Sequence, residues 1–355
     1  MSELHELSAV INRSFSDQRN VFRDRFAQAE PFRHVVIDNF FNPPFCAALL
    51  DQFPAFDVKG AINENGEIGA KACREKVREL GPAFRQLDDL VQSPGFLSTI
   101  EDLTGIKGLR YDPHYFGGGT HENRQGQDLD PHIDFNYHPL TRQHRRLNLI
   151  VYLNEVWEDA WGGSLQLHRN PYLVPKDDDI ITLTPLLNRC VIFETNEYSW
   201  HGFERIQLPS EYQHLSRKSF ALYFYSDTRP AAETAAEHST VYVDRHLPER
   251  FAAGLTLSQE DVQQIRVLLT RRDQHLQRLY RTVQHLSGQI AGLRIAEFSA
   301  SSAGKVLMEK LTQNGANAEL MLGLLMLQIN ALEQSTSWRI TAPLRALKRL
   351  LTGRG

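Results

Sequence analysis

Apolar residues recur in this chain with different rhythms in successive stretches. Residues 1–30 are polar with scattered apolar positions compatible with a helix, predicting an N-terminal helix against the body. The run 32–41 reads as a strand, and Asn42 ahead of Pro43 and Pro44 predicts the cap and first turn of a helix. Two amphipathic helices are expected over 75–92 and 94–104, the second stopped by Gly105.

From 109 to 227 the texture changes to short β-branched and aromatic runs punctuated by Gly and Pro. Five runs read as strands: 147–153, 163–167, 180–184, 189–193 and 219–225, with Trp161 and two glycines turning the chain before the second. Strands follow strands here rather than alternating with helices, which predicts a β-sandwich or jelly roll. Residues 228–257, Ala-rich and Pro-containing, read as a connection.

A third rhythm begins at Val262. It continues through Ile265, Leu269, Arg272, Leu276, Leu279, Val283, Leu286, Ile290 and Leu293, alternating steps of three and four with nine of ten positions apolar. A helix of about 35–40 residues, roughly 55–60 Å long, accommodates it. The run 299–304 breaks the pattern, and a second helix is expected over about 305–334. The two helices either pack as a hairpin or present one seam for a homodimer through a coiled coil; a single seam serves both readings. The expected organisation is therefore an N-terminal helix (1–30), a β-rich domain (31–227), a linker (228–257), a helical region (258–335) and a basic amphipathic tail (336–355).

At 355 residues the chain exceeds one typical core, consistent with a domain plus an appendage. The formal net charge of −4 is unevenly spread: from Ser258 onward thirteen Lys and Arg face seven Asp and Glu, leaving −10 for residues 1–257. A nucleic-acid-binding core is excluded on that balance, whereas the tail suits an anionic surface. The three cysteines, Cys46, Cys73 and Cys190, form no close pair and fit a reducing compartment. The start of the chain lacks the basic and apolar regions of a signal peptide, and the longest candidate span, 320–327, falls short of about 18 apolar residues. A cytoplasmic protein is expected, with peripheral inner-membrane contact left open.

The chemistry concentrates in Asp-Pro-His-Ile-Asp-Phe-Asn (130–136) and Ser-Trp-His-Gly-Phe (199–203). His132 and Asp134, two apart on an extended segment, point to one face, and His201 can complete two imidazoles and one carboxylate around a metal. That set, with open positions opposite, is the ligand pattern of non-haem Fe(II) oxygenases. A 2-oxo acid filling two open positions needs a cation for its distal carboxylate, preferably an arginine fork. Arg217 opens an apolar strand sixteen residues after His201, with Ser219 on the same strand face; Lys218 points to the other.

Together with Tyr115-Phe-Gly-Gly-Gly-Thr-His, Ile-Val-Tyr152-Leu-Asn154, Trp161-Gly-Gly-Ser-Leu165, His201-Gly-Phe and Arg217-Lys-Ser, these motifs stand in the order of a known family. Over about residues 31–227 the chain resembles the bacterial Fe(II)- and 2-oxoglutarate-dependent dioxygenases of the prolyl-4-hydroxylase-like branch. The resemblance implies an α+β chain with a double-stranded β-helix, or jelly-roll, core and flanking N-terminal helices, followed by the C-terminal hairpin or coiled coil. It implies His132, Asp134 and His201 as metal ligands. Arg217, Tyr152, Tyr115 and Ser219 would bind 2-oxoglutarate, and Leu165, Phe203 and Tyr223 would line the pocket. Fe(II) would be the cofactor, 2-oxoglutarate and O2 the co-substrates, and ascorbate an accessory reductant. Because Asp134 keeps the acid that family halogenases replace, oxidation of substrate rather than halogenation is implied.

Near the other end, Ser335-Thr-Ser-Trp-Arg-Ile-Thr-Ala-Pro-Leu-Arg345 resembles a short tail found after coiled coils in proteins of surface-polysaccharide synthesis. Residues 336–355 contain five basic residues and no acid, with Trp338, Ile340, Leu344, Leu347, Leu350 and Leu351 suited to an interfacial apolar face. This favours a sugar or glycan substrate and docking to a polysaccharide assembly or membrane. The alternatives are a hydroxylase of prolyl or other protein side chains, and a non-catalytic jelly-roll and coiled-coil scaffold.

Overall fold

Alternation of apolar side chains along the strands builds two antiparallel sheets with one set of helices. The computed structural model describes residues 3–57, 72–248 and 250–300, together with Lys305, Val306, Glu309 and Gly323. Two units separate, Met1–Thr256 and Leu257–Gly355. The expected second helix over 305–334 and the tail over 336–355 lie almost wholly outside the described residues. No helix among the described residues is long and apolar enough to cross a membrane.

The first unit begins with α1 (Glu3–Val10), α2 (Arg13–Asp17) and α3 (Arg19–Gln28). The N-terminal segment is thus three helices rather than one. The Asn12 side chain accepts from Ser14 N–H at 3.0 Å and restarts the helix there. Then come β1 (His34–Ile37), α4 (Pro43–Asp51), β2 (Ala72–Arg74), α5 (Pro82–Val91) and α6 (Pro94–Thr104). Asn42 does precede α4, but its side chain donates to the carbonyls of Ser8 and Ala9 instead of capping the helix. The helix expected over 75–92 is split into a 3-10 turn at Val77–Glu79 and α5, because Gly81 at φ +151° and Pro82 interrupt it. Helix α6 follows its expected bounds: Ser93 caps Phe96 N–H, and Gly105 ends it in the left-handed region at φ +73°.

The remaining strands are β3 (Leu109–Tyr111), β4 (Gly119–Asn123), β5 (Leu129–Ile133), β6 (His144–Tyr152), β7 (Leu165–His168), β8 (Ile180–Leu183), β9 (Cys190–Glu194), β10 (Trp200–Phe203), β11 (Arg217–Ser226) and β12 (Val241–Tyr242). Seven form one sheet, in the order β1-β9-β6-β11-β4-β2 with β3 also on β11; five form the other, in the order β12-β5-β10-β7-β8. Two facing antiparallel sheets of this kind make the jelly roll, and with the helices the unit is α+β.

The large sheet has two unlike faces. Leu147, Leu149 and Val151 of β6, Ile192 of β9 and Phe220, Leu222 and Phe224 of β11 meet the apolar sides of α3 to α6 in the main core. Phe84 packs on Phe220 and Phe96 on Phe224, with ring centroids 5.8 and 6.4 Å apart. Burying each such ring contributes about 1.5–3 kcal/mol. The alternate residues face the small sheet, where Tyr152, Val191 and Phe193 pack against Leu165 and Leu167 of β7. That inner space holds the chemistry.

Residues 228–257, expected as a linker, belong largely to this unit. Val241 and Tyr242 add strand β12 to β5, and Val243 packs with Ile133 and Trp200. Arg245 bonds Asp130 and the carbonyls of Leu129 and Phe203. A two-residue strand is too short to leave a periodic signal.

The second unit contains α7 (Gln259–Ala300). Ser258 Oγ accepts from Asp261 N–H, and Asp261 returns a carboxylate oxygen to Ser258 N–H, a reciprocal capping box. Along the helix, the heptad residues Leu269, Leu276, Leu279, Val283, Leu286, Ile290 and Leu293 are exposed.

Candidate active site

Strands β5 and β10 are antiparallel neighbours, and their register sets His132 directly beside His201. The two rings lie 4.2 Å apart between centroids. Each ring is held the same way: Nδ1 sits 2.9 Å from the carbonyl two residues back, Asp130 O for His132 and Ser199 O for His201. Nδ1–H donates there, so each Nε2 is left as a lone pair. Asp134 follows the end of β5, with Oδ1 3.8 Å from His132 Nε2 and Oδ2 3.6 Å from His201 Nε2. One ligand atom from each residue falls within 4.8 Å of the others, the only such cluster found among the described residues. Two imidazoles, one carboxylate and buried surroundings fit a divalent iron.

Electrostatics reinforce that fit. Burial pushes the Asp134 carboxyl up, but Arg145, His201, His132 and Asn148 together outweigh it and hold it below the usual carboxylate range. Burial pushes His201 below its ordinary value, so its ring stays neutral and ready to ligate. Phe193 lies against His201 at 4.7 Å, and Tyr242 stacks on His132 at 5.2 Å.

Arg217, at the start of β11, turns into the same inner space while Lys218 lies over Phe53 on the helix side. Its Nε donates to Gly163 O at 2.5 Å and its Nη2 to Tyr152 Oη at 3.3 Å. The Phe203 ring lies 4.3 Å from its guanidinium carbon. Gly163 permits this approach: at φ +73°, a side chain there would meet Trp157 and Ile206 at 3.0 Å and Arg217 Cδ at 3.3 Å. The guanidinium is buried, and no carboxylate among the described residues pairs with it; burial accordingly lowers its pKa. Ser219 stands opposite Tyr152 in the β6–β11 register, also buried. Leu165 and Phe203 border the same region, and Tyr223 stacks on Arg145.

Tyr115 lies elsewhere. It packs on Phe220 on the helix-covered face and donates its hydroxyl to Asp88 of α5 at 2.8 Å. Its expected place in the co-substrate pocket is therefore corrected. A left-handed backbone at φ +48° and the following turn of glycines direct the ring into the helix core. Two contributors went unpredicted. Arg145 reaches Asp134 Oδ2 at 3.1 Å, and Asn148 Nδ2 donates to the same oxygen at 2.8 Å. Asn148 shares the inner face of β6 with Tyr152, so period-two spacing from Tyr152 could have found it.

With this geometry, residues 118–225 match the family model of the 2OG-Fe(II) oxygenase superfamily. That domain makes the chain a 2-oxoglutarate-dependent dioxygenase, with Fe(II) as cofactor and 2-oxoglutarate and O2 as co-substrates. Among solved structures, the chain is similar to a prolyl hydroxylase from Trichoplax adhaerens in complex with a hypoxia-inducible-factor peptide. The TM-score is 0.41 at 15% identity, covering 63% of this chain and 97% of that one. A prolyl 4-hydroxylase from Phytophthora capsici gives 0.40 at 20% identity over 97% of both chains. HygX from Streptomyces hygroscopicus, with nickel and 2-oxoglutarate bound, gives 0.39 at 13% identity over 65% and 99%. No curated sequence matches the chain. Likenesses this distant say nothing about substrate.

Proposed function

We propose that His132, Asp134 and His201 hold the iron, and that Arg217, with Tyr152 and Ser219, receives the distal carboxylate of 2-oxoglutarate. The observation that carries this reading is Arg217 itself. A buried guanidinium whose neighbours are a carbonyl and a phenol, with no acid among the described residues, is a costly arrangement that a bound carboxylate completes. Iron, when bound, supplies the oxidation that converts 2-oxoglutarate and O2 to succinate and CO2 while oxidising a substrate C–H bond. The chain's own part is to fix the two imidazoles by their Nδ1 bonds, seat the co-substrate, and enclose both in a buried site. The direct test is succinate formation from 2-oxoglutarate with Fe(II) and air. His132→Ala is expected to abolish it, and full residual turnover sinks the assignment.

For the substrate we propose a sugar or glycan of surface-polysaccharide synthesis. The support is the run 335–345 and the basic composition of 336–355, which also favour contact with an anionic membrane surface or an assembly at the cytoplasmic face. Stimulation of succinate formation by nucleotide sugars or glycans, and not by proline-containing peptides, is the expected result; the reverse favours a protein hydroxylase. The exposed heptad stripe of α7 supports a homodimer formed through this helix.

A further inference from the structure

Strand β6 alternates cleanly from Leu147 to Tyr152, but its start, which carries two arginines, slips against β11. Leu147 pairs with Phe224, and Arg145 rather than Arg146 pairs with the next residue, Tyr225. The extra residue is a bulge. It turns Arg145 inward to Asp134, whereas unbroken alternation would place it with Leu147 on the helix-covered face. Arg146 does not share that site. It joins a separate cluster where β6, β9 and β11 end, made with Arg33, Glu194, Arg229 and Glu233.

The charges in this cluster do not balance. Arg33 Nε donates to Glu194 at 2.7 Å, which closes one pair. Arg146 and Arg229 then share the carboxylate of Glu233, whose Oε2 lies 3.2 Å from Arg146 Nη2 and 3.8 Å from Arg229 Nε. Both arginine side chains are buried, whereas that of Glu233 is 40% exposed on a short turn, Ala231–Glu233. Hydrogen bonding is incomplete at the same place. Arg229 uses Nη1 and Nη2 on the carbonyls of Arg145 and Thr195, and Arg146 donates Nη1 to Ser226 Oγ. Arg146 Nε, Arg229 Nε and Thr195 Oγ1 are buried with no hydrogen-bond partner among the described residues. Burial, and then Arg229, hold the Arg146 guanidinium below its ordinary pKa, with Glu233 and Glu194 only partly opposing them.

We infer that Arg146, Arg229 and Thr195 form a phosphoryl-binding site apart from the iron triad, over which the Glu233 carboxylate sits as a displaceable stand-in. Buried polar groups without partners are rare, and three together, two of them on cations, call for an acceptor with several oxygens. A bridging water would satisfy the donors but leave one positive charge unbalanced. A ligand carboxylate in place of Glu233 leaves the same imbalance. A phosphoryl dianion brings two charges for the two arginines and three oxygens for both Nε donors, Arg146 Nη2 and the Thr195 hydroxyl. Nε and Nη2 of Arg146 lie on one edge of its guanidinium, the fork that takes two oxygens of one phosphate. Glu233 can rotate to solvent from its exposed turn, so no strand has to move to admit the group.

The test is calorimetric titration of the full-length chain with inorganic phosphate and with glucose 1-phosphate. Ionic strength is held constant with chloride, and a chelator keeps any metal from taking the anion. E233Q removes the stand-in and is expected to bind phosphate about tenfold more tightly than wild type. Two changes are then added to E233Q: R229K, which keeps the charge but has no Nε, and T195V, which loses the hydroxyl at nearly the same shape. Each should weaken binding about tenfold. R217M added to E233Q should leave phosphate binding unchanged, since Arg217 stands in the inner space with Tyr152. Tighter binding of glucose 1-phosphate than of phosphate identifies the phosphoryl group as part of a larger ligand; equal or weaker binding identifies free phosphate. A folded E233Q that binds no better than wild type overturns the inference. So does binding that R217M removes, or that R229K and T195V both leave unchanged. Should E233Q fail to fold, R229K and T195V made in wild type decide: weakened phosphate binding supports the site, and unchanged binding, or a wild type that binds no phosphate, refutes it.

Discussion

Replacing Arg217 by methionine separates binding from folding in a way few other residues allow. The guanidinium is buried against Gly163 O at 2.5 Å and Tyr152 Oη at 3.3 Å, with no acid beside it among the described residues. Without co-substrate its charge is desolvated and uncompensated, and apolar replacement of buried charge is often neutral or stabilising. Leaving Gly163 O without its donor costs about 1–3 kcal/mol, which offsets that relief, so the melting temperature should change little. With co-substrate the position reverses. Truncating one partner of a buried, hydrogen-bonded charge pair costs about 2–5 kcal/mol. At about 1.4 kcal/mol per tenfold, that is roughly 30-fold to several thousand-fold in affinity. Calorimetric titration of the Mn(II)-loaded protein with 2-oxoglutarate measures it, and 2-oxopentanoate, which lacks the distal acid, supplies the control. Wild type should prefer 2-oxoglutarate by about that factor, and R217M should barely distinguish the two acids. A variant that keeps the wild-type preference would falsify the role given to Arg217.

Tyr115→Phe removes a buried hydroxyl bond to Asp88, which also holds Tyr111 and Arg78; it should cost about 1.5–3 kcal/mol in urea unfolding and leave 2-oxoglutarate affinity unchanged. Reduced affinity in a fully folded Y115F would return Tyr115 to the site. Burial holds His34 and His168 below the ordinary histidine value of 6.5, so both favour the neutral ring in the folded state. Their contribution is present above that pH and lost as pH falls from there through the folded-state values. The urea midpoint should therefore drop between pH 7.5 and 5.5, and less steeply in a His34→Gln, His168→Gln double variant. For α7, light scattering should give twice the chain mass for wild type and a smaller mass for a Leu276→Asp, Val283→Asp double variant; a wild-type monomer contradicts pairing through the stripe.

The readable parts of this chain are those with an unbroken period. Leu147, Leu149 and Val151 alternate with Asn148, Ile150 and Tyr152, and the strand and its two faces follow from that alone. Helix α6 is equally plain, with Ser93, Pro94 and Gly105 marking its ends. His132 and His201 meet because β5 and β10 are neighbours, a pairing that sequence distance conceals but the ligand chemistry anticipates. Where the chain is illegible there is a local physical cause. Arg145 changes face at a bulge, which leaves no mark in a period-two pattern. The motif around Tyr115 points it to the pocket, but a left-handed backbone directs it to the helices. Tyr242 stands over His132 from a two-residue strand inside a stretch with no rhythm at all.

The most direct test of the whole account is an anaerobic titration of Fe(II)-loaded protein with 2-oxoglutarate, followed in the visible. Chelation of the 2-oxo acid by iron at His132, Asp134 and His201 predicts a weak metal-to-ligand band that saturates at one equivalent in wild type. The band should vanish in His132→Ala and need far more co-substrate in Arg217→Met. A wild-type protein that is folded, binds Fe(II) and develops no band, or a His132→Ala variant that develops the full one, contradicts the site described for this chain.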